Sequence, residues 1–327
     1  MQRDFDDASH TSATIRSGLD SCKAKMVIAS LGYTSDTVVG KLRHFGQRGR
    51  GLVGGEGNSP LINRGYFARV CAMDTILLNF LRRNKASNKA CQVVEMGAGS
   101  STLYWRYKLG ELEGQECLSG CRPRVKWFEI DYDAVIQRKQ EVMRKAGEEL
   151  DEGGATIEFP AERAFLSADL CAAESFSEKL LSNSTSAVDP SLPTLFIFEA
   201  VLMYIEKGSS ERLLADLCSS FSAATVAVYD AVPRQNSQFG SVMCQNLRRC
   251  GVDVSGMQAT RTLEAQLERL RKAGFSAVDG MTMVSRRRRC WRAACNPLLP
   301  PASRVHHLLL LLLLLLLLLL LLRLRLR

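Results

Sequence analysis

Short apolar runs alternate along this chain with longer stretches whose apolar positions recur every three or four residues. The short runs predict strands over residues 92–96, 125–130, 156–159, 194–198 and 225–229. The longer ones predict helices over 132–149, 210–221, 239–249 and 262–273, with Gly274 just past the end of the last. Ahead of the first strand, Val70, Met73, Ile76, Leu77, Phe80 and Leu81 form one stripe of a helix over 62–82, and a further helix is predicted around 21–31. A Gly-rich loop over 46–59 separates these two helices. Such alternation builds a mostly parallel α/β sheet with helices on both faces, here with an N-terminal helical cap.

In an open parallel sheet the ligand lies beyond the carboxyl ends of the strands. The residues that end the apolar runs are therefore the first functional candidates: Gly97, Asp131, Asp169 (in Leu166-Ser167-Ala168-Asp169-Leu170) and Glu199. Val93-Val94-Glu95-Met96-Gly97-Ala98-Gly99 is a strand ending in a Gly-x-Gly turn, and Trp127-Phe128-Glu129-Ile130-Asp131 is a strand ending in an acid. In a βαβ unit the glycines let the backbone approach a nucleoside, and the acid accepts hydrogen bonds from ribose hydroxyls. Thr102 stands where the third glycine of a pyrophosphate fingerprint would be, and Asp131 lies 34 positions after Gly97, against about 20 in a dinucleotide fold. Both departures favour a nucleoside without pyrophosphate, such as S-adenosylmethionine, over NAD.

Charge changes the picture less than its total suggests. The net charge is +9, and the nine arginines after residue 285, where no acid follows, equal it. Residues 1–285 are thus formally neutral, so basicity gives no reason to expect nucleic-acid binding by the globular part. The eleven cysteines form no framework and the N-terminus lacks a signal-like apolar region, which predicts a reduced, cytoplasmic protein. Cys117 and Cys121 lack a second ligand pair, so no metal site is expected. The organisation read from the sequence is an N-terminal extension (1–60), a catalytic domain (61–285) and a low-complexity tail (286–327). The tail holds fifteen consecutive leucines, Leu308 to Leu322. As a helix they would reach about 22 Å, short of a bilayer core of about 30 Å. They read either as low complexity or as a short membrane anchor with snorkelling arginines.

Only four histidines are present, none between residues 45 and 305, which leaves the sheet without a Ser-His-Asp triad or a His-based metal site. Methyl transfer to a carboxylate fits this composition. An α-carboxylate, with a pKa of about 3.5, is already an ionised nucleophile at neutral pH. Orientation rather than a general base then carries the rate.

Several blocks extend this reading: Ser59-Pro60-Leu61-Ile62-Asn63-Arg64-Gly65-Tyr66-Phe67-Ala68-Arg69, Met96-Gly97-Ala98-Gly99 with Trp105-Arg106, Glu199-Ala200-Val201-Leu202-Met203-Tyr204, and Gln245-Asn246-Leu247-Arg248-Arg249. In this order they resemble the leucine carboxyl methyltransferase family, from about Ser21 to Met283. The resemblance implies an S-adenosylmethionine-dependent methyltransferase fold. It also implies esterification of the C-terminal leucine of the type 2A protein phosphatase catalytic subunit, which promotes assembly with regulatory subunits. It implies that Lys25 and Arg69 meet the cofactor's methionine carboxylate and that Gly97 admits it to the backbone. Asp131 would take the ribose hydroxyls, Asp169 and Leu170 would flank the adenine, and Glu199 would lie near the methionine amino group. Tyr204 would stand beside the transferred methyl. Two departures stand out: Cys171 replaces an arginine, and Arg286-Arg287-Arg288-Arg289 and the leucine run replace the family's final strand. The competing readings are a relative acting on a small-molecule acid or a tRNA base, an NAD oxidoreductase, and an inactive truncated or tail-anchored binding protein.

Overall fold

The computed structural model describes residues 15, 18–46, 59–85, 90–112, 114, 118, 124–150, 163–172, 175–182, 188–232, 238–249, 251–252 and 254–283. Residues 1–278 belong to one compact unit and 279–327 to a second, of which 279–283 are described. Five parallel strands, β1 (Cys91–Met96), β2 (Val125–Asp131), β3 (Arg163–Ser167), β4 (Thr194–Glu199) and β5 (Ala224–Tyr229), form a sheet in the order β3-β2-β1-β4-β5. The chain reverses direction of growth at β1, whose six residues are all buried. That reversal opens a crevice at the carboxyl ends of β1 and β4, where a doubly wound sheet binds its ligand.

Alternate residues of the central strands feed the two faces. Val94, Met96, Phe128, Ile130, Phe196 and Phe198 pack with Phe176 and Leu180 of α5 (Phe176–Ser182) and Leu213, Leu214 and Leu217 of α6 (Lys207–Ser220). The opposite face meets α4 (Asp133–Leu150), whose Lys139 reaches Glu129. Beyond α4, a helix α1 over residues 18–30 and a 3-10 helix (Val39–Gly46) contribute Cys22 and Leu42 to a second cluster with Val135, Val142 and Met143. Helices thus cover both faces, with a helical N-terminal cap. The stripe read from the sequence forms α2 (Pro60–Lys85), which buries Val70, Met73, Leu77, Phe80 and Leu81. Its acid Asp74 is buried too, gripped by Arg106 of α3 (Leu103–Leu109) at 2.7 and 2.6 Å.

The third strand differs from the expectation. Residues 156–159 lie outside the described residues, and the strand that pairs with β2 is Arg163–Ser167. A strand opening on a buried arginine reads as loop in sequence. It is tolerated because Glu129 of the neighbouring strand takes Arg163 and Lys139 together, a buried charge compensated by hydrogen-bonded partners. Further on come α7 (Gln238–Arg249), α8 (Ser255–Ala259) and α9 (Leu263–Lys272), the last capped by Thr262 and followed by Gly274 at φ +105°. Among the described residues the sheet ends at β5, and no helix is long and apolar enough to cross a membrane. The leucine run lies outside the described residues.

Candidate active site

β1 ends in a turn that only glycine adopts without strain. Gly97 has φ +68° and Gly99 φ +47°, in the left-handed region that costs a side chain free energy. A Cβ on Gly97 would lie 2.7 Å from Cγ2 of Val201, on the turn after β4. The glycine turn is tied to β2 by Asp131, whose Oδ2 accepts from the Gly99 N–H at 2.7 Å and whose Oδ1 accepts from the Tyr132 N–H at 2.8 Å. Burial raises the Asp131 pKa, and these two donors oppose the shift. A carboxylate has about four acceptor positions, so capacity for two more donors remains.

Glu199 ends β4 and gathers two cations from distant elements. Lys25 Nζ, from α1, lies 2.9 Å from its Oε1, and Arg69, from α2, donates Nε–H to the same oxygen. Arg69 also donates through Nη2 to the Glu199 carbonyl at 3.3 Å. Burial alone would push the Glu199 carboxyl up, but Arg69 and then Lys25 outweigh it and hold it at about 2. The Arg69 guanidinium lies 5.7 Å from the Tyr66 ring centroid and 5.6 Å from that of Tyr229, within cation–π range of both.

A cavity of about 380 Å³ brings these groups together, within the range of small-molecule sites. Lys25, Arg69, Gly97, Asp131, Leu170, Glu199 and Tyr204 all line it. Asp169 does not: it is exposed, and its Oδ1 accepts from the Cys171 N–H at 2.8 Å, shaping the turn that presents Ala168, Leu170 and Cys171 to the cavity. Tyr229, Tyr66 and Glu95 are among the lining residues that the sequence did not single out. Tyr229 ends the fifth apolar run as Glu199 ends the fourth, so the strand-end rule would have found it. Tyr66 stands within the Asn63-Arg64-Gly65-Tyr66 block. Glu95 accepts from Trp127 Nε1 at 2.7 Å, and burial, reinforced by its cross-strand neighbour Glu129, pushes its pKa up to about 7. Among the described residues no group of three or more His, Cys, Asp or Glu could hold a metal.

A family profile described as leucine carboxyl methyltransferase matches residues 20–218, from α1 to α6. The chain belongs to the leucine carboxyl methyltransferase family. It is 32% identical over 282 residues to leucine carboxyl methyltransferase 1 of Bos taurus, covering 82% of this chain and 77% of that one. The Caenorhabditis elegans protein of the same name is 29% identical over 280 residues, 82% of this chain and 78% of its own. A longer relative, tRNA wybutosine-synthesizing protein 4 of Homo sapiens, is 28% identical over 274 residues, 80% of this chain and 37% of that protein. As a member of this family the protein is an S-adenosylmethionine-dependent methyltransferase.

The residues fit that cofactor. Glycines in left-handed conformations leave the turn open to a nucleoside, Asp131 keeps acceptor capacity for ribose hydroxyls, and Leu170 offers an apolar face to a base. Two cations and an acid in one cluster complement a zwitterionic amino-acid end.

Proposed function

We propose that this protein transfers the methyl group of S-adenosylmethionine to the α-carboxylate of a C-terminal leucine, that of the type 2A protein phosphatase catalytic subunit. One observation carries the reading: a single cavity joins the Lys25–Glu199–Arg69 cluster and the Asp131-tied glycine turn to apolar residues Met203, Ile205, Met243 and Leu247. When bound, the cofactor supplies a methyl activated by a positive sulfonium. Lys25 and Arg69 hold its carboxylate, Glu199 its ammonium, Asp131 its ribose, and Gly97 and Leu170 admit the rest. Asp169 serves this site through its turn. The acceptor carboxylate needs no base, and histidine-free walls suit that chemistry. The apolar residues receive the leucine side chain and exclude water, and Tyr204 stands beside the line of transfer, so orientation supplies the rate.

The same reading makes the protein a cytoplasmic regulator of phosphatase assembly, with residues 61–285 as the catalytic domain, 1–60 as its extension and 286–327 as an appended tail. Purified protein given methyl-labelled cofactor and the phosphatase catalytic subunit should produce base-labile label that disappears when the terminal leucine is deleted. Base-stable label, or label independent of that leucine, overturns the assignment.

A further inference from the structure

The turn after β4, residues 200–205, supplies Ala200, Val201, Met203, Tyr204 and Ile205 to the cavity. Within it the Tyr204 N–H donates to the Val201 carbonyl at 3.0 Å and the Ile205 N–H to the Leu202 carbonyl at 3.4 Å, and contacts from other elements add to these. Ala200 sits at φ +58°, a left-handed conformation without glycine's freedom, and neighbouring elements grip the turn at several points. The Ala200 N–H donates to the Tyr229 carbonyl at 2.7 Å, and the Met257 N–H donates to the Met203 carbonyl at 3.1 Å. Gly256 of α8 packs so closely that a Cβ would stand 2.1 Å from the Leu202 carbonyl oxygen and 2.4 Å from that of Ile205.

Asp230, the residue after β5, completes this grip. Its side chain is 2% exposed, and its carboxylate faces the backbone amides of Val201 and Met203 without closing a full hydrogen bond to either. Arg269 of α9, also 2% exposed, stands behind it with Nη2 3.9 Å away. Arg269 in turn donates to Ser210 Oγ at 3.2 Å and to the Gln266 side chain. Gln266 donates to Thr260 Oγ1 at 2.8 Å, and Thr260 donates to the Gly256 carbonyl at 2.9 Å. The network therefore runs from β5 through α9 to α8 and meets the turn again at Gly256.

We propose that Asp230, backed by Arg269 and Gly256, is a positioning residue that aims the 200–205 turn and so sets acceptor binding far more than cofactor binding. The inference rests on the proposed carboxylate transfer in this cavity. The charged groups that bear on Asp230 are Arg269 from α9, and, more weakly, Arg69 from α2; Glu211 of α6 acts on Arg269. Burial raises the Asp230 pKa to about 6, with Arg269 opposing the shift. Below that pH the carboxyl takes a proton and its pull on the two amides weakens.

Asp230→Asn is the test, because the amide is the same shape, carries no charge and turns a donor toward one of the two N–H groups. We expect S-adenosylhomocysteine affinity within about twofold of wild type and acceptor KM raised about tenfold or more. Wild-type kcat/KM for the acceptor should fall as pH drops through about 6, and the variant should lack that step. Amide hydrogen exchange gives a readout independent of turnover: exchange in 200–205 should rise in the variant while 91–101 stays protected. Gly256→Ala should reproduce the KM effect without changing the pH step. An unchanged acceptor KM, unchanged exchange in 200–205, or equal losses of cofactor and acceptor affinity would overturn the proposal. A wild-type enzyme that binds S-adenosylhomocysteine yet methylates no leucine carboxylate would instead defeat the proposed function, and the exchange result would still decide whether Asp230 holds the turn.

Discussion

Asp131→Asn separates a ligand contact from a structural tie, and the geometry says it should disturb both. Each carboxylate oxygen already accepts one backbone N–H, from Gly99 at 2.7 Å and from Tyr132 at 2.8 Å. An asparagine can keep an oxygen toward only one of them and must present its amide donor to the other. A buried donor left without its partner costs about 1–3 kcal/mol, so the variant should lose stability on that order. Loss of the charge on the hydrogen bonds to the ribose adds about 1.5–3 kcal/mol to the cost for cofactor binding. Only this second term enters the dissociation constant of S-adenosylhomocysteine, which should rise about ten- to hundredfold. Asp133 is the control. It accepts from Gln137 and from Ser167 on exposed surface, so Asp133→Asn should change stability by about 0.5 kcal/mol or less and leave binding alone. Isothermal titration of both variants, with thermal melts of the free proteins, measures each term. Wild-type affinity and melting temperature in Asp131→Asn would refute both the ribose role and the idea that this carboxylate holds the glycine turn.

Three further outcomes follow from the same groups. Glu199 is held at about 2 against an ordinary value of 4.5, so its charge stabilises the fold above that ordinary value and the contribution disappears as pH falls toward 2. Glu199→Gln should cost about 3 kcal/mol in denaturant unfolding at pH 7, with the gap to wild type narrowing below about pH 4.5 and closing toward pH 2; a gap as large at pH 3 as at pH 7 contradicts the ion-pair account. Glu95 shifts the other way, to about 7, so its contribution is intact below the ordinary carboxyl range and is lost as pH rises through 7. Glu95→Gln, which keeps an acceptor for Trp127, should therefore melt like wild type near pH 5 and higher than wild type at pH 8, by up to about 3 kcal/mol; equal melting at both pH values would show that Glu95 is not strained by its charge. Gly97→Ala places a Cβ at φ +68° against Val201, whereas at Gly99 nothing lies within 4 Å. The first should lose about 1–3 kcal/mol of stability and more than about tenfold in cofactor affinity, the second less of each, and denaturant titration showing the reverse order would refute the packing argument.

Periodicity and punctuation are local, and whatever depends on them was legible in the residues alone. Four of the five strands, the stripe of α2, the Gly274 that follows the last helix and the turn at Gly97 and Gly99 follow from neighbours a few positions apart, because backbone conformation and one-sided burial act over that range. Parallel topology then points to strand ends, which is why Gly97, Asp131 and Glu199 could be chosen before any coordinates. Arg163–Ser167 could not be read as a strand, since its opening charge is tolerated only through Glu129, 34 positions earlier. The seven-residue helices α3 and α5 are too short to show a period. Lys25 and Arg69 lie 174 and 130 positions from Glu199, and no spacing rule joins them; family resemblance proposed their shared role, and folding alone brought them onto one carboxylate. Asp169 illustrates the converse, an acid at a strand end whose side chain turns to its own loop. The network from Asp230 to Gly256 is the most tertiary feature of all. Its members come from β5, α8, α9 and a turn after β4, and each looks ordinary in sequence because the groups that give it meaning become neighbours only when the chain has closed around the cavity.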